Sequence, residues 1–294
     1  MYNKVNLKRK VSDLNRDSKE EVISLNGITK ENSLYFENVE LTIEEDNILR
    51  VYDLNMQGYL FDLTIIDDEI FVIGKINNIL VGKQLKYKNQ KLKIINQNQN
   101  ILKLINSSEK YRTLKNKLDI KLSLPNEARI ISLDKVGGKN NVIVCDLDND
   151  MREEIIFAYN HLNRAYICIG RYNDNNFKLI DIYEGRGYDI SNLYIRPIIN
   201  ERSNTIIIGW SVSESLSNLD LLLYDENKLK SVLNKNDMYF SKIDLIDFNK
   251  NNKEDIVLLR HDLNGYYIKA YEYNHFNLIE NSLYTNIYKN SIKI

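Results

Sequence analysis

The chain has little of what staples or punctuates a fold: 2 cysteines, 2 prolines, 11 glycines, 3 histidines and a single tryptophan in 294 residues. Two cysteines cannot build a disulfide framework, and the 23-residue spacing of Cys145 and Cys168 matches no zinc or redox pattern. Both lie in apolar runs and read as buried thiols. No charge of one sign dominates, with 40 basic residues against 41 acidic ones. That balance excludes a general nucleic-acid binder, which needs a basic excess to neutralise phosphates. Long hydrophobic runs are missing as well, so no transmembrane segment is expected. The basic start Met1-Tyr2-Asn3-Lys4 has no apolar stretch behind it and does not read as a signal peptide. As written the chain is expected to be cytoplasmic, or surface-bound or secreted if a leader has been removed. No Gly-x-Ser-x-Gly elbow, phosphate loop or His-Glu-x-x-His helix occurs. The Ser-x-Asp-x-Gly box of propeller sialidases, whose nucleophile is a tyrosine, is lacking too.

What is present is a succession of short apolar runs rich in Ile, Val, Leu, Tyr and Phe, such as Ile70-Phe71-Val72-Ile73 and Thr205-Ile206-Ile207-Ile208, broken by Asn/Asp clusters. This is the pattern of short strands. Only 109–118 suggests a short helix.

Three of the clusters repeat one another. Asp13-Leu14-Asn15-Arg16-Asp17-Ser18-Lys19-Glu20-Glu21, Asp146-Leu147-Asp148-Asn149-Asp150-Met151-Arg152-Glu153-Glu154 and Asp247-Phe248-Asn249-Lys250-Asn251-Asn252-Lys253-Glu254-Asp255 each run straight into an apolar strand. The last two begin 101 residues apart, and a strand at Ile206–Ile208 that has lost its acidic loop falls midway. A similar relic, Asp67-Asp68-Glu69 before Ile70, follows the first. The period is 48–51 residues, giving six units of about 49, with the pattern blurred between 100 and 140. Each clear unit holds four strands, the count of a propeller blade. The expectation is an all-β propeller of six or seven short four-stranded blades over 1–294, the alternative being two β domains at 1–108 and 120–294.

Oxygen-bearing side chains at alternate positions of a tight loop suit a hard cation such as calcium. The candidate ligands are Asp13, Asn15, Asp17 and Glu21; Asp146, Asp148, Asp150 and Glu154; and Asp247, Asn249, Asn251 and Asp255. An EF-hand needs a bidentate Glu at position twelve between two helices, but position twelve holds Ser24, Phe157 and Leu258 inside strand-like runs. The Asp146 loop carries the most carboxylates and is expected to bind best; the Asp247 loop, with two amides, should bind more weakly. Position six, where a glycine would most easily take positive φ, holds Ser18, Met151 and Asn252. Such a cation would pin a turn rather than do chemistry.

Loops of this type before a strand, repeated about every 50 residues, resemble the FG-GAP/VCBS repeats of integrin-α-like β-propellers. Glu184-Gly185-Arg186-Gly187-Tyr188, Ile207-Ile208-Gly209-Trp210 and Arg260-His261-Asp262-Leu263-Asn264-Gly265-Tyr266 further resemble stretches of VCBS-repeat proteins from Gram-positive bacteria. The resemblance covers 139–294 well and 1–75 in part. It implies calcium ligation by the twelve residues above, and family members are often exported. The glycine usual in these loops is absent from all three.

Outside the loops, Trp210 beside Gly209 is the best candidate for a ligand contact near a rim or channel, followed by Arg260 and His261. His161 and His261 follow repeat-related strands. Arg260-His261-Asp262 sets a cation, a base and an acid in a row, but consecutive strand residues point apart, so it is not a catalytic group. Between Lys83 and Lys117 ten Lys/Arg face one acid, Glu109. That segment is a solvated face or a dock for an anionic surface. The functional expectation is a non-catalytic binding or scaffolding propeller with structural calcium, its partner a protein, a glycan or a cell-wall polymer. The alternative is a polysaccharide hydrolase or lyase with a site in the central channel.

Overall fold

The computed structural model describes the chain except residues 32, 137, 139–140, 174–175, 201–202, 234–237, 263–264, 275–276, 283–284 and 286–294. The described residues are predominantly β, with α-helices at 99–123 and a further 3₁₀ turn at Asp134–Val136, and the chain divides into two compact units, Met1–Ala128 and Arg129–Ile294.

The first unit contains two sheets. One is formed by β1 (Tyr2–Ser12), β2 (Glu21–Lys30), β3 (Phe36–Glu45) and β4 (Ile48–Asp53), the other by β5 (Tyr59–Ile66), β6 (Glu69–Ile76), β7 (Ile79–Lys88) and β8 (Lys91–Gln97). In both, every strand pairs antiparallel with its neighbour in sequence. The second unit repeats that plan three times. After β9 (Arg129–Ile131) come β10 (Ile143–Cys145), β11 (Glu154–His161), β12 (Arg164–Asn173) and β13 (Asn176–Glu184). Then follow β14 (Asp189–Asn200), β15 (Ser203–Ser211), β16 (Ser217–Asp225) and β17 (Lys228–Ser231), with the short β18 (Tyr239–Phe240) added beside β16. The last sheet is β19 (Lys242–Ile246), β20 (Asp255–Asp262), β21 (Gly265–Asn274) and β22 (Asn277–Glu280).

The second strand of each sheet explains the regularity. β6, β11 and β15 are continuous apolar runs buried on both faces, so each is covered on either side. Some outer strands are exposed and charged, such as β1 with Lys4, Lys8, Arg9 and Lys10, and β8 with Lys91 and Lys93. Charge on an edge strand discourages pairing with another chain.

The scarcity of glycine is compensated in the hairpins. Asp46-Asn47, Asp67-Asp68, Asn77-Asn78, Asn89-Gln90, Leu162-Asn163 and Glu226-Asn227 all take positive φ at both residues. Two consecutive left-handed residues make the hairpin turn whose twist matches the flanking strands, and Asn and Asp tolerate that backbone better than other non-glycine residues.

Where the period blurs the chain is helical: α1 (Gln99–Asn106) and α2 (Arg112–Ser123) flank a 3₁₀ turn at Glu109–Tyr111. A poorly matched unit or a linker is expected around 100–138, and among the described residues no four-stranded sheet lies there. Ile101, Ile105, Leu114 and Leu118, spaced for one helical face, pack instead on Phe71, Ile73 and Leu80 of the β5–β8 sheet. The helix expected at 109–118 is real but begins later and runs further. Part of the basic segment is bonded within its own unit. Lys83 donates to Leu54 O at 2.5 Å, and Lys110, Lys115 and Lys117 pair with Asp67, Asp119 and Asp62. No described helix is long and apolar enough to cross a membrane.

Candidate metal centres

The three acidic loops occupy one topological position, the connection from the first to the second strand of a sheet. Register fixes their ends. The ninth loop residue is the first residue of the second strand, paired with the last residue of the first: Glu21 with Ser12, Glu154 with Cys145, Asp255 with Ile246.

Between those ends the backbone is folded identically three times. The amide of position five donates to the side chain of position one, at 3.2 Å for Asp17 to Asp13, 3.2 Å for Asp150 to Asp146 and 3.0 Å for Asn251 to Asp247. The same amide reaches the side chain of position three, at 3.0, 3.3 and 3.0 Å. The amide of position six binds the other oxygen of position one, at 2.9, 2.8 and 2.8 Å, and that of position seven binds the side chain of position five, at 2.9, 2.9 and 2.8 Å. Positions four and six are left-handed in every loop: Arg16 and Ser18, Asn149 and Met151, Lys250 and Asn252. Position six was legible as the strained one. Position four was not.

Position two anchors each loop from beneath, because Leu14 and Leu147 are buried in core clusters and Phe248 packs against a third. With its side chain held down, its amide points at the ninth residue. Leu14 N–H donates to Glu21 Oε2 at 2.6 Å, Leu147 N–H to Glu154 Oε2 at 2.8 Å, and Phe248 N–H to Asp255. That acid is 1%, 0% and 4% exposed in the three loops. Asp13, Asp17 and Glu21 each bring a carboxylate oxygen within 4.8 Å of the others, and so do Asp146, Asp148 and Glu154.

Burying a carboxylate without a counter-charge is costly, and the loops meet that cost differently. In the first, Glu21 Oε1 has no hydrogen-bond partner, and burial pushes its pKa up. In the third, Asp255 Oδ2 has none, and burial raises its pKa to about 6. In the second, the Arg171 guanidinium lies against Glu154 Oε1 and 3.4 Å from Asp150 Oδ2. Arg171 stands on the third strand, opposite the ninth residue. Register places Glu45 there in the first loop and Glu272 in the third. Those glutamates accept from the amide of position three, Asn15 Nδ2 to Glu45 at 2.8 Å and Asn249 Nδ2 to Glu272 at 3.2 Å, which leaves the amide oxygen turned to the loop. Glu45 also accepts from Arg50 and from Tyr87, each bond on Oε2. None of Glu45, Arg171 and Glu272 stood out in the sequence, since they lie 17–24 residues after the last loop residue and only register identifies them.

The other candidates fall elsewhere. Trp210 lies inside β15 and is 0% exposed, with its ring against Gly185 and stacked 6.3 Å from Tyr183. It is a core residue and presents nothing to a ligand, because the strand continues past it to Ser211. His161 closes β11, while His261 lies on β20 with its ring 4.5 Å from that of Tyr266. His275 lies outside the described residues. Arg260 lines a cleft of ≈ 250 Å³ in the second unit with Tyr239, Leu258, Tyr267, Lys269 and Tyr271.

No protein-family model matches the chain, and no curated protein matches it. Solved structures similar to it include an exotype rhamnogalacturonan lyase, at 12% identity and a TM-score of 0.34, with 94% of this chain and 49% of that one covered. Another is a Bacillus licheniformis rhamnogalacturonan lyase, at 10% identity and a TM-score of 0.30, covering 95% and 50%. The chain thus spans about half the length of each, and likenesses this low carry no argument about its activity.

Proposed function

We propose that the chain is a non-catalytic binding module whose Asp13 and Asp247 loops each take a structural calcium ion, whereas Arg171 stands in for the cation in the Asp146 loop. The observation that carries this is the orphaned, buried carboxylate oxygen of Glu21 and of Asp255, each set among oxygen donors only. Asp13, Asn15, Asp17 and Glu21 would hold one ion, and Asp247, Asn249, Asn251 and Asp255 the other. A bound calcium supplies the positive charge these loops lack, and thereby fixes the first strand of each sheet against the second. In the Asp146 loop the guanidinium already compensates Asp150 and Glu154. Four carboxylates there do not make the strongest site.

The recurrence of one meander and one loop geometry in both units supports reading the sheets as blades of an FG-GAP/VCBS-type propeller. Calcium then has a structural purpose, because short blades carry few contacts of their own.

The test is thermal unfolding with excess calcium against chelator. Anything bound only to the folded state stabilises by about 2.7 kcal/mol at a hundred times its Kd. At roughly 2–4 °C per kcal/mol that is a rise of about 5–10 °C. Asp13→Asn and Asp247→Asn should each remove part of the rise, and Asp146→Asn should leave it intact. No shift in the native protein at saturating calcium would refute the proposal.

A further inference from the structure

Four lysines of the basic segment stand in a block on the β7–β8 hairpin. Register sets Lys86 opposite Lys93 and Lys88 opposite Lys91, while the intervening pairs, Leu85 with Ile94 and Tyr87 with Leu92, point to the other face. All four lysines are exposed, and none has a hydrogen bond or ion pair among the described residues. The acids at this end of the sheet are engaged elsewhere. Asp67 pairs with Lys110 at 2.6 Å, Asp68 with Arg16, and Glu69, which stands opposite Lys86 on β6, accepts from Gln84 at 2.6 Å.

Like charges directly opposite each other, with Cβ atoms about 4.5–5.5 Å apart, destabilise a sheet. Two such pairs follow one another here, and they border an open edge. Among the described residues β8 pairs with β7 alone, so one row of its backbone N–H and C=O groups has no strand beside it. Residues Lys91 to Ile94 form the regular part of that edge, before the register shift that leaves Ile95 unpaired. Its two faces differ. Lys91 and Lys93 project on one, Leu92 and the 48% exposed Ile94 on the other.

We propose that this edge binds an extended acidic segment of a partner protein, in which Glu or Asp alternates with an apolar residue. The segment adds a fifth strand to the sheet, bonded through the main chain of β8. Side chains on one face of a strand recur every two residues, or about 6.4–6.8 Å. Two acids of the segment therefore fall opposite Lys91 and Lys93, with Lys88 and Lys86 one strand behind, and its apolar residues fall beside Leu92 and Ile94. The added acids turn a like-charged surface into opposite-charge pairs. The charge that keeps a second β8 away thus admits a strand of opposite sign. A phosphate polymer leaves both the backbone groups and the apolar face unused. This gives the binding role proposed above a partner class and rests on that role, but not on calcium: calcium-dependent melting tests the loops and peptide binding tests the edge.

The experiment is fluorescence-anisotropy titration of the full chain in excess calcium. The probes are labelled Thr-Glu-Val-Glu-Val-Glu-Thr, the permuted Glu-Glu-Glu-Thr-Val-Val-Thr of equal composition, and inorganic polyphosphate as competitor. The alternating peptide should bind more tightly than the other two. Two opposite-charge cross-strand pairs correspond to roughly 2–30-fold in affinity. Lys91→Gln combined with Lys93→Gln should weaken the alternating peptide by that factor, and should not lower the melting temperature, because it relieves repulsion. If the double variant melts early, two peptides N-methylated on either alternate set of residues give the reading in the native protein. The set facing the edge should abolish binding and the set facing away should preserve it. Lys91→Glu combined with Lys93→Glu should shift the preference to Thr-Lys-Val-Lys-Val-Lys-Thr. Equal affinity for the alternating and permuted peptides, unchanged affinity in the double glutamine variant, tighter binding of polyphosphate, or no binding of the alternating peptide would each overturn the proposal.

Discussion

The Asp13 and Asp247 loops share their backbone, hydrogen bonds and left-handed residues with the Asp146 loop, yet they differ in what faces the buried acid. Two of them leave a carboxylate oxygen without a partner beside a glutamate; the third closes on an arginine. The number of carboxylates in a loop is therefore a poor guide to its need for a cation. Under the proposal the residue on the third strand decides it: Arg171 compensates the buried acid of its loop, whereas Glu45 and Glu272 do not.

The largest expected effect comes from breaking the arginine-closed loop. Arg171→Ala leaves Glu154 buried and uncompensated, and removing one partner of a buried pair costs about 3–5 kcal/mol. Denaturant unfolding in chelator should show that loss, and calcium should restore part of it, since the emptied loop then resembles its two counterparts. The anchors beneath the loops should not distinguish them. Leu14→Ala and Leu147→Ala each remove a buried leucine and should cost about 2–5 kcal/mol with or without calcium. Unequal costs would show that the three loops do not share one scaffold. A smaller change converts one kind of loop into the other. Arg171→Glu installs the residue type found at Glu45 and Glu272, and should add a calcium-dependent rise in melting temperature that Asp146→Asn then removes. The smallest effect concerns strain. Met151 is 94% exposed at φ 67°, so Met151→Gly loses no packing and should stabilise the chain by about 1 kcal/mol. Ser18→Gly should do the same in the Asp13 loop.

Much of the fold was legible because the repeat writes it several times over. The four strands expected of the unit with the Asp146 loop appear as β10, β11, β12 and β13. Their alternation and continuous apolar runs follow from burial, which sequence carries directly. The helical segment was partly hidden, since α2 buries Leu114 and Leu118 amid four Lys and Arg residues and shows only a weak apolar stripe. Trp210 was misplaced for a different reason. Gly209 reads as a turn, but there it makes room for the Phe240 ring within a strand. The acidic loops were visible as local patterns, and the residue that separates them was not, because cross-strand register is a property of the folded sheet.

The central claim reduces to a stoichiometry. Native mass spectrometry of the chelated protein titrated with calcium counts ions per chain directly. Two ions are expected, one lost on Asp13→Asn and the other on Asp247→Asn, with a third gained on Arg171→Glu. Three ions in the native chain, or two that survive Asp13→Asn but fall to one on Asp146→Asn, would contradict the account.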